Sequence, residues 1–458
     1  MSSIAPASTV EATALRRRSR AFVAAMIAAG FALTIRVFYP GLMTHDARYV
    51  YQAIAEGKVG DWQSPVMTWL WALIDPIAPG SGSMFLLIAT LYWLGFAVLA
   101  MTIARDRPRL ALLVPVLALA PPAFLLIGVI WRDMLFGGAW LTAAALAYAV
   151  AERRAAIRLP AQLAALALFA LGVLLRPNAL LAAPILGLYV VCPRRLSWKA
   201  ALLAYVPAGI ALYAMVQVVY YGMLGAERQS PLHSVIVYDL GGITHFSGEN
   251  QFPVAWTAEE TKLLISTCYS PLLWDVYWYR EPCRFVMERI EKQEHLFGTP
   301  ALVRAWLAAV ARHPLAYLAH RSTVFWTFLA GDNLVVWFHD LDDPDKIVRA
   351  DDALLMAVKK VHDTLKPTPL FRMGVWLALC LAIAAAAWRR RETPSGAFAV
   401  AVCGSAAVYV VTYWLVGVSV DFRYGYWAVL AALAGAVAYA AKPTRRGRSD
   451  SASATPAD

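Results

Sequence analysis

Four short stretches of a sparsely charged chain pair opposite charges, or a charge with an amide: His45-Asp46-Ala47-Arg48, Arg132-Asp133, Arg176-Pro177-Asn178 and Asp421-Phe422-Arg423. An aspartate kept ionised by a nearby cation can take a proton from a hydroxyl, which makes Asp46 a candidate general base. An arginine fork offers a phosphate two parallel, charge-assisted bonds. Arg132, Arg176 and Arg423 are therefore candidates to hold a phosphate or pyrophosphate leaving group, with Asn178 beside them and Asp133 and Asp421 placed to orient the guanidiniums. His45, Arg48 and Gln52 are candidate supporting residues around Asp46. Each stretch also has a plainer reading. Thr44 or Asp46 can simply cap the helix that follows, and a single arginine at a span end can snorkel to the headgroups. Four polar stretches at span ends are harder to explain that way, because charge at membrane depth is costly and pairs up or lines a cavity.

The elements that position these residues follow from composition. Of 458 residues, 60% are hydrophobic and 16% charged, with a mean hydropathy of +0.55. A soluble fold of this length covers its surface with about 25% charged residues, so lipid must be the outer solvent and a large soluble catalytic domain is excluded. The net charge of +11 reads as loop topology, and no nucleic-acid partner is expected.

Arg16, Arg17, Arg18 and Arg20 precede an apolar run over 21–38 with no small-x-small cleavage site at Arg36-Val37-Phe38-Tyr39, which predicts an uncleaved anchor. Further apolar runs lie near 84–104, 110–129, 134–151, 160–176, 178–192, 200–221, 372–388, 396–417 and 425–441. At about 20 residues per span these predict an all-α, polytopic membrane protein of about ten transmembrane helices. If the spans alternate, every inside connection is basic: Arg105, Arg107 and Arg109; Arg153, Arg154 and Arg158; Arg194, Arg195 and Lys199; Arg389, Arg390 and Arg391; Lys442, Arg445, Arg446 and Arg448. Both termini are then inside, and the four charged stretches face outside.

The chain divides accordingly into a basic tail (1–20), an N-terminal membrane module (21–221) with a first outer loop over 39–83, a long outer segment (222–371), C-terminal membrane helices (372–441) and a tail (442–458) whose Ser- and Ala-rich composition predicts disorder. Residues 63–78 predict a helix lying on the outer surface, and Arg48, Tyr49, Gln52 and Glu56 a short helix closed by Gly57. Counting 314–338 as a span would move Arg389–Arg391 outside, so that stretch is expected to be interfacial or re-entrant.

Taken together, these residues resemble the GT-C-type polytopic glycosyltransferases, which include protein O-mannosyltransferases and lipid A aminoarabinose transferases. Pro40-Gly41 with Asp46, Gln52, Gly57, Asp61-Trp62 and Ser64-Pro65 is similar to the "PG…D…Q…G…DW…P" first outer loop of bacterial members. Trp131-Arg132-Asp133, Arg176-Pro177-Asn178 and Asp421-Phe422-Arg423-Tyr424 are similar to later motifs in order and side. The resemblance implies transfer of a sugar, with inversion, from a polyprenyl-phosphate carrier to a lipid, glycan or protein acceptor at the outer face of the inner membrane. It implies that Asp46 is the catalytic carboxylate; the Ala-, Arg- and Leu-heavy composition suggests a proteobacterial source, in which the site is expected to face the periplasm. His45 stands where the mannosyltransferases carry a second acidic residue, so no metal is assigned and a divalent ion stays an open alternative.

In the long outer segment, Tyr269, Trp274, Tyr277, Trp278 and Tyr279 suit sugar rings or the membrane interface equally well, and short helices covering the cavity are expected there. Cys268 and Cys283 can bond if that segment faces an oxidising compartment, whereas Cys192, Cys380 and Cys403 read as packing residues. Six histidines of this region (His233, His245, His295, His313, His320 and His339) form no close metal-ligand pair, and Asp340, Asp342, Asp343 and Asp345 read as a solvated acidic loop before a cation site. The competing class is a flippase or transporter for lipid-linked sugars. That class normally shows internal repeats and helices broken at mid-membrane; no repeat is seen in this sequence, and its charged residues gather at the outer ends of spans. A scaffold subunit of an envelope assembly would leave the polar convergence unexplained.

Overall fold

The computed structural model describes residues 7–152, 158–193, 198–343 and 345–441. Arg153, Arg154, Arg194, Arg195, Lys442, Arg445, Arg446, Arg448 and the C-terminal tail lie outside the described residues. The regular structure of the described residues is helical, their only β-pairing being four isolated bridges.

In chain order the main helices are α1 (Ala7–Phe38), α2 (His45–Glu56), α3 (Pro65–Ile74), α4 (Ser81–Ile103), the bent pair α5 (Pro108–Ala118 and Pro121–Ile127), α6 (Arg132–Glu152), α7 (Arg158–Leu175), α8 (Ala183–Val191) and α9 (Trp198–Gln217). The outer segment contributes α10 (Leu232–Ser247), α11 (Ala258–Ser266), α12 (Pro300–Arg312), α13 (Pro314–Ala330) and α14 (Ala353–Leu365). Three more close the bundle: α15 (Met373–Trp388), α16 (Pro394–Val416) and α17 (Tyr426–Ala440).

Among the described residues six helices are long and apolar enough to cross a bilayer, and the α5 pair makes up to seven if its 52° bend is one broken span. The expectation of about ten spans is met only to that extent. At ~1.5 Å per residue, α8 reaches ~14 Å, α15 ~24 Å and α17 ~23 Å, short of the ~30 Å hydrocarbon core. Pro121 and Pro122 break α5 because a proline ring cannot follow a continuing helix.

Several helix ends expected on the inner side lie near one another. At one end of the bundle Arg20 lies with Arg105 and Asp106, Tyr148 and Tyr189 both meet Phe398 at 5.2 and 6.1 Å, and Arg390 stacks over Tyr439 at 5.0 Å. These are ends predicted to be inside. The opposite ends converge on a single cavity.

Helix α6 is the central strut, because it is apolar on all sides and has to be enclosed. Its Trp140 is fully buried, stacked on Phe169 of α7 at 5.8 Å and edge-on to Trp427 of α17 at 5.5 Å. A Cβ at Gly172 would sit 2.2 Å from the Trp140 ring, so glycine is what lets α7 approach.

The outer segment is pinned by a buried ionic cluster. Asp239 of α10 takes Arg321 Nε at 2.6 Å and Trp306 Nε1 at 2.8 Å, with His320 Nε2 at 3.3 Å. Asp239, His320 and Arg321 are all fully buried, and Arg321 Nη1 donates to the Gly417 carbonyl at 2.7 Å, fastening α13 to the end of α16. The stretch over 314–338 thus packs beside the last turns of α16, where Phe328 meets Tyr413 at 4.5 Å. Cys268 and Cys283 are disulfide-bonded, Cys380 and Cys403 are buried, and Cys192 is exposed.

Candidate functional site

The first outer loop is built around two caps. Thr44 Oγ1 accepts from the Ala47 amide and starts α2, and Gly57 ends it at φ 64°, a left-handed conformation that glycine adopts without strain. Thr44 therefore does the capping, and the Asp46 carboxylate is free for other contacts. Leu42 exchanges backbone bonds with Gly128 and Ile130 at 2.8 and 3.0 Å, which places Asp46 across from Arg132. A Cβ at Gly128 would fall 2.1 Å from Phe38, so that crossing also depends on glycine.

Around Asp46 the predicted residues assemble. Asp46, Arg132, Asp133, Arg176, Asn178 and Arg423 line one cavity of about 740 Å³. Arg423 Nη1 reaches Asp46 Oδ2 at 3.0 Å and its Nε reaches Asp421 Oδ2 at 3.2 Å, while its guanidinium stacks over Trp131 at 4.2 Å. Asp421 also accepts from the Arg423 amide at 3.0 Å, capping the turn that carries the arginine. Arg176 is 4% exposed and pairs with Asp133, itself 3% exposed. Arg132 differs from both. Among the described residues it makes no ion pair and no side-chain hydrogen bond, although it senses the fields of Asp133 and Asp46.

His45, Arg48 and Gln52 are not in this cluster. His45 packs edge-on against Trp337 at 5.3 Å, Arg48 pairs with Asp342 at 2.7 Å, and Gln52 is exposed. The helical period explains the difference. Asp46, Ala47 and Val50 share the face turned to the cavity, and Arg48 and Gln52 fall on the other side of α2. The supporting role expected of these three is therefore corrected to contacts outside the cavity.

The opposite wall was not singled out as a site in the sequence. Gln63 Nε2 donates to Asp46 Oδ1 at 3.1 Å. Asp61 accepts from Tyr221 Oη at 2.7 Å and the Gln229 amide at 2.6 Å, and Arg228 stacks on Tyr221 at 3.6 Å. Asp275 completes it. The segment closed by the Cys268–Cys283 bond pairs with the α16–α17 connection through the Leu273–Ser419 bridge and the bonds Trp274 N to Val418 O and Val420 N to Leu272 O, both 2.8 Å. Asp275 is thereby held on the cavity wall beside Trp274, whose ring lies 5.9 Å from Trp62.

The electrostatics separate these carboxyls. Burial pushes Asp46 up, but the guanidiniums of Arg423, Arg132 and Arg176 outweigh it and hold the group below the ordinary aspartate value. Burial, with the charge of Asp46 adding to it against Arg423, pushes Asp275 up to about 6. Burial raises Asp421 to about 6 despite Arg423. Among the described residues no group of three or more His, Cys, Asp or Glu is arranged to hold a metal ion. In the acidic loop, Asp342 is engaged by Arg48 and its amide by Asp340. Such a site can bind an anion beside a carboxylate that stays ionised.

No protein-family pattern matches the chain, and no curated protein matches it in sequence. Two solved structures of the Archaeoglobus fulgidus oligosaccharyltransferase are similar to it: one tethered through a disulfide bond to an acceptor peptide containing the NVT sequon, the other in the apo form. They show 12% and 11% identity, TM-scores of 0.38 and 0.36, and coverage of 91% of this chain in each case. The matches cover 49% and 50% of those chains, so this chain spans about half their length.

Proposed function

We propose that this multi-pass membrane protein is a glycosyltransferase of the GT-C type, moving a sugar from a polyprenyl-phosphate carrier to a hydroxyl acceptor at the outer face of the inner membrane, with inversion. The observation that carries the reading is the meeting of four separate connections on one cavity, with the Asp46 carboxyl held below its ordinary value and Arg132 without an ion pair among the described residues. As the bond from the anomeric carbon to the phosphate oxygen breaks, the carbon gains positive and the phosphate negative character. Asp46 at the acceptor hydroxyl and Arg132, Arg176 and Arg423 at the phosphate supply the complementary charges. Asp133 and Asp421 hold the arginines in place.

A lipid carrier suits the remaining wall. Leu180, Tyr213, Val216 and Val416 line the cavity, and α9 presents Leu202, Leu203, Val206 and Ile210 outward at 64–79% exposure. A polar pocket continuous with an apolar helix face fits a phosphate attached to a hydrocarbon chain. The Cys268–Cys283 bond in the outer segment suits an oxidising compartment such as the periplasm. Envelope glycans, lipids and proteins are the acceptor classes such a site would serve.

The test is radiolabelled sugar transfer from a panel of synthetic polyprenyl-phosphate sugars, with detergent-purified wild type and Asp46→Asn in parallel. Wild type is expected to use one donor, and Asp46→Asn to lose about 10²–10⁴-fold in rate. A folded Asp46→Asn protein with full activity refutes a catalytic role for Asp46 at the acceptor hydroxyl. Binding of lipid phosphate without transfer by either protein favours a flippase.

A further inference from the structure

The proton that leaves the acceptor needs a destination, and Asp46 is poorly arranged to be the final one. Both its oxygens are engaged, Oδ2 by Arg423 at 3.0 Å and Oδ1 by Gln63 at 3.1 Å. The cationic field that keeps it ionised also opposes its protonation. Every other carboxylate of the cavity but one is occupied too: Asp61 by Tyr221 and Gln229, and Asp133 by Arg176. Asp421, just behind the lining, is taken by Arg423.

The exception is Asp275. It lines the same cavity, half-buried, and among the described residues its carboxylate meets no other side chain in a hydrogen bond or ion pair, its one hydrogen-bond contact being its own backbone amide. Its place is fixed by the chain on either side, through the disulfide and the backbone bonds to Val418 and Leu272.

We propose that Asp275 is a second catalytic carboxylate, which takes the proton from the acceptor hydroxyl while Asp46 orients and polarises that hydroxyl. The inference rests on the transferase reading above. The acceptor oxygen forms its bond to the anomeric carbon, and the bond from that carbon to the phosphate oxygen breaks with its electron pair passing to the phosphate. The acceptor proton goes to the Asp275 carboxylate and from there to outer solvent. The charged groups facing Asp275 are Asp46 from α2, which favours its protonation, and Arg423 from the α16–α17 connection, which opposes it. The value of about 6 leaves it deprotonated and ready at neutral pH, yet a better proton acceptor than an ordinary aspartate.

The experiment compares wild type, Asp275→Asn and Glu281→Gln, the last a charge change on an exposed residue of the same disulfide-closed segment. Three readouts apply: binding of polyprenyl phosphate, the pH profile of kcat/KM, and infrared titration of the Asp275 carboxylate in wild type and Asp46→Asn. Wild type is expected to show an acid limb near pH 6, and the expected result for Asp275→Asn is lipid-phosphate binding within about 2-fold of wild type, kcat lower by about 10²–10⁴-fold, and loss of that limb. Glu281→Gln should keep that limb. Removing the Asp46 charge should move the Asp275 titration to lower pH. An Asp275→Asn protein with wild-type kcat and an unchanged acid limb overturns this assignment while leaving the transferase reading intact. A wild type that transfers no sugar from any donor overturns the transferase reading, and the proton role falls with it.

Discussion

The three cavity arginines are expected to fail in different ways when replaced, and the difference can be worked out from their partners. Arg132 has no ion pair among the described residues, so Arg132→Gln strands no carboxylate. It should mainly remove a charge-assisted bond to phosphate, worth about 1.5–3 kcal/mol, which is about 10- to 150-fold in affinity at ~1.4 kcal/mol per decade. Arg176→Gln strands Asp133 at 3% exposure. Breaking a buried pair by removing one partner costs about 3–5 kcal/mol, which appears as lost stability. Polyprenyl-phosphate binding in nanodiscs and tryptophan-monitored thermal unfolding separate the outcomes. Arg132→Gln should weaken binding and keep the midpoint. Arg176→Gln should lower the midpoint, and adding Asp133→Asn should recover part of it. If Arg132→Gln binds lipid phosphate like wild type, or destabilises as much as Arg176→Gln, the division into a ligand-holding and a paired arginine is refuted.

Other outcomes follow from the same contacts. Asp239→Asn and Arg321→Met should each loosen the outer segment, at about 3–5 kcal/mol, and speed its proteolysis, whereas the double change Asp239→Leu with Arg321→Met should cost less than either. Replacing both Cys268 and Cys283 by serine opens a loop with a sequence separation of 15, for which about 3 kcal/mol is expected; transfer should fall further than lipid-phosphate binding as the Asp275 wall loosens. The pH dependence of stability has a worked sign. Asp275 and Asp421, both at about 6 in the folded protein, bind protons that the unfolded chain does not bind between pH 6 and its ordinary aspartate value, so the unfolding midpoint should hold or rise from pH 7 to 5. Asp46, held low, withdraws its contribution only as pH falls below the ordinary value and through its own, which calorimetry at pH 2–4 would register.

Much of the site was legible because membrane topology is written in periodicity and charge. Once basic residues mark one side, Asp46, Arg132, Arg176 and Arg423 must share the other, and one cavity gathers them. The caps at Thr44 and Gly57 are local chemistry and were equally readable. Arg48 and Gln52 misled because proximity in sequence ignores which face of α2 looks inward. Asp275 was missed because its position depends on a disulfide and on pairing with residues 418–420, a contact no local pattern encodes. Its place between two cysteines and beside Trp274 was the only available hint. For the same reason Asp239 and Arg321 were not singled out, and their burial becomes intelligible only when α10, α12 and α13 are seen packed together. Span lengths were overestimated where Pro121 and Pro122, or the 3-10 turn over Pro177–Leu181, divide an apolar run.

The contact between Asp46 and Arg423 joins the first outer loop to the last, which has a consequence for how the protein is made. During synthesis Asp46 emerges long before its arginine, and Asp275 before the connection it docks on. Until α16 and α17 arrive, the nascent cavity has carboxylates without their full cationic complement and an unsupported outer segment. Long-range closure of this kind makes site assembly a late, all-or-none event. A chain stopped before α16 would therefore insert most of its helices and still lack Arg423, the cation that meets Asp46 across the cavity.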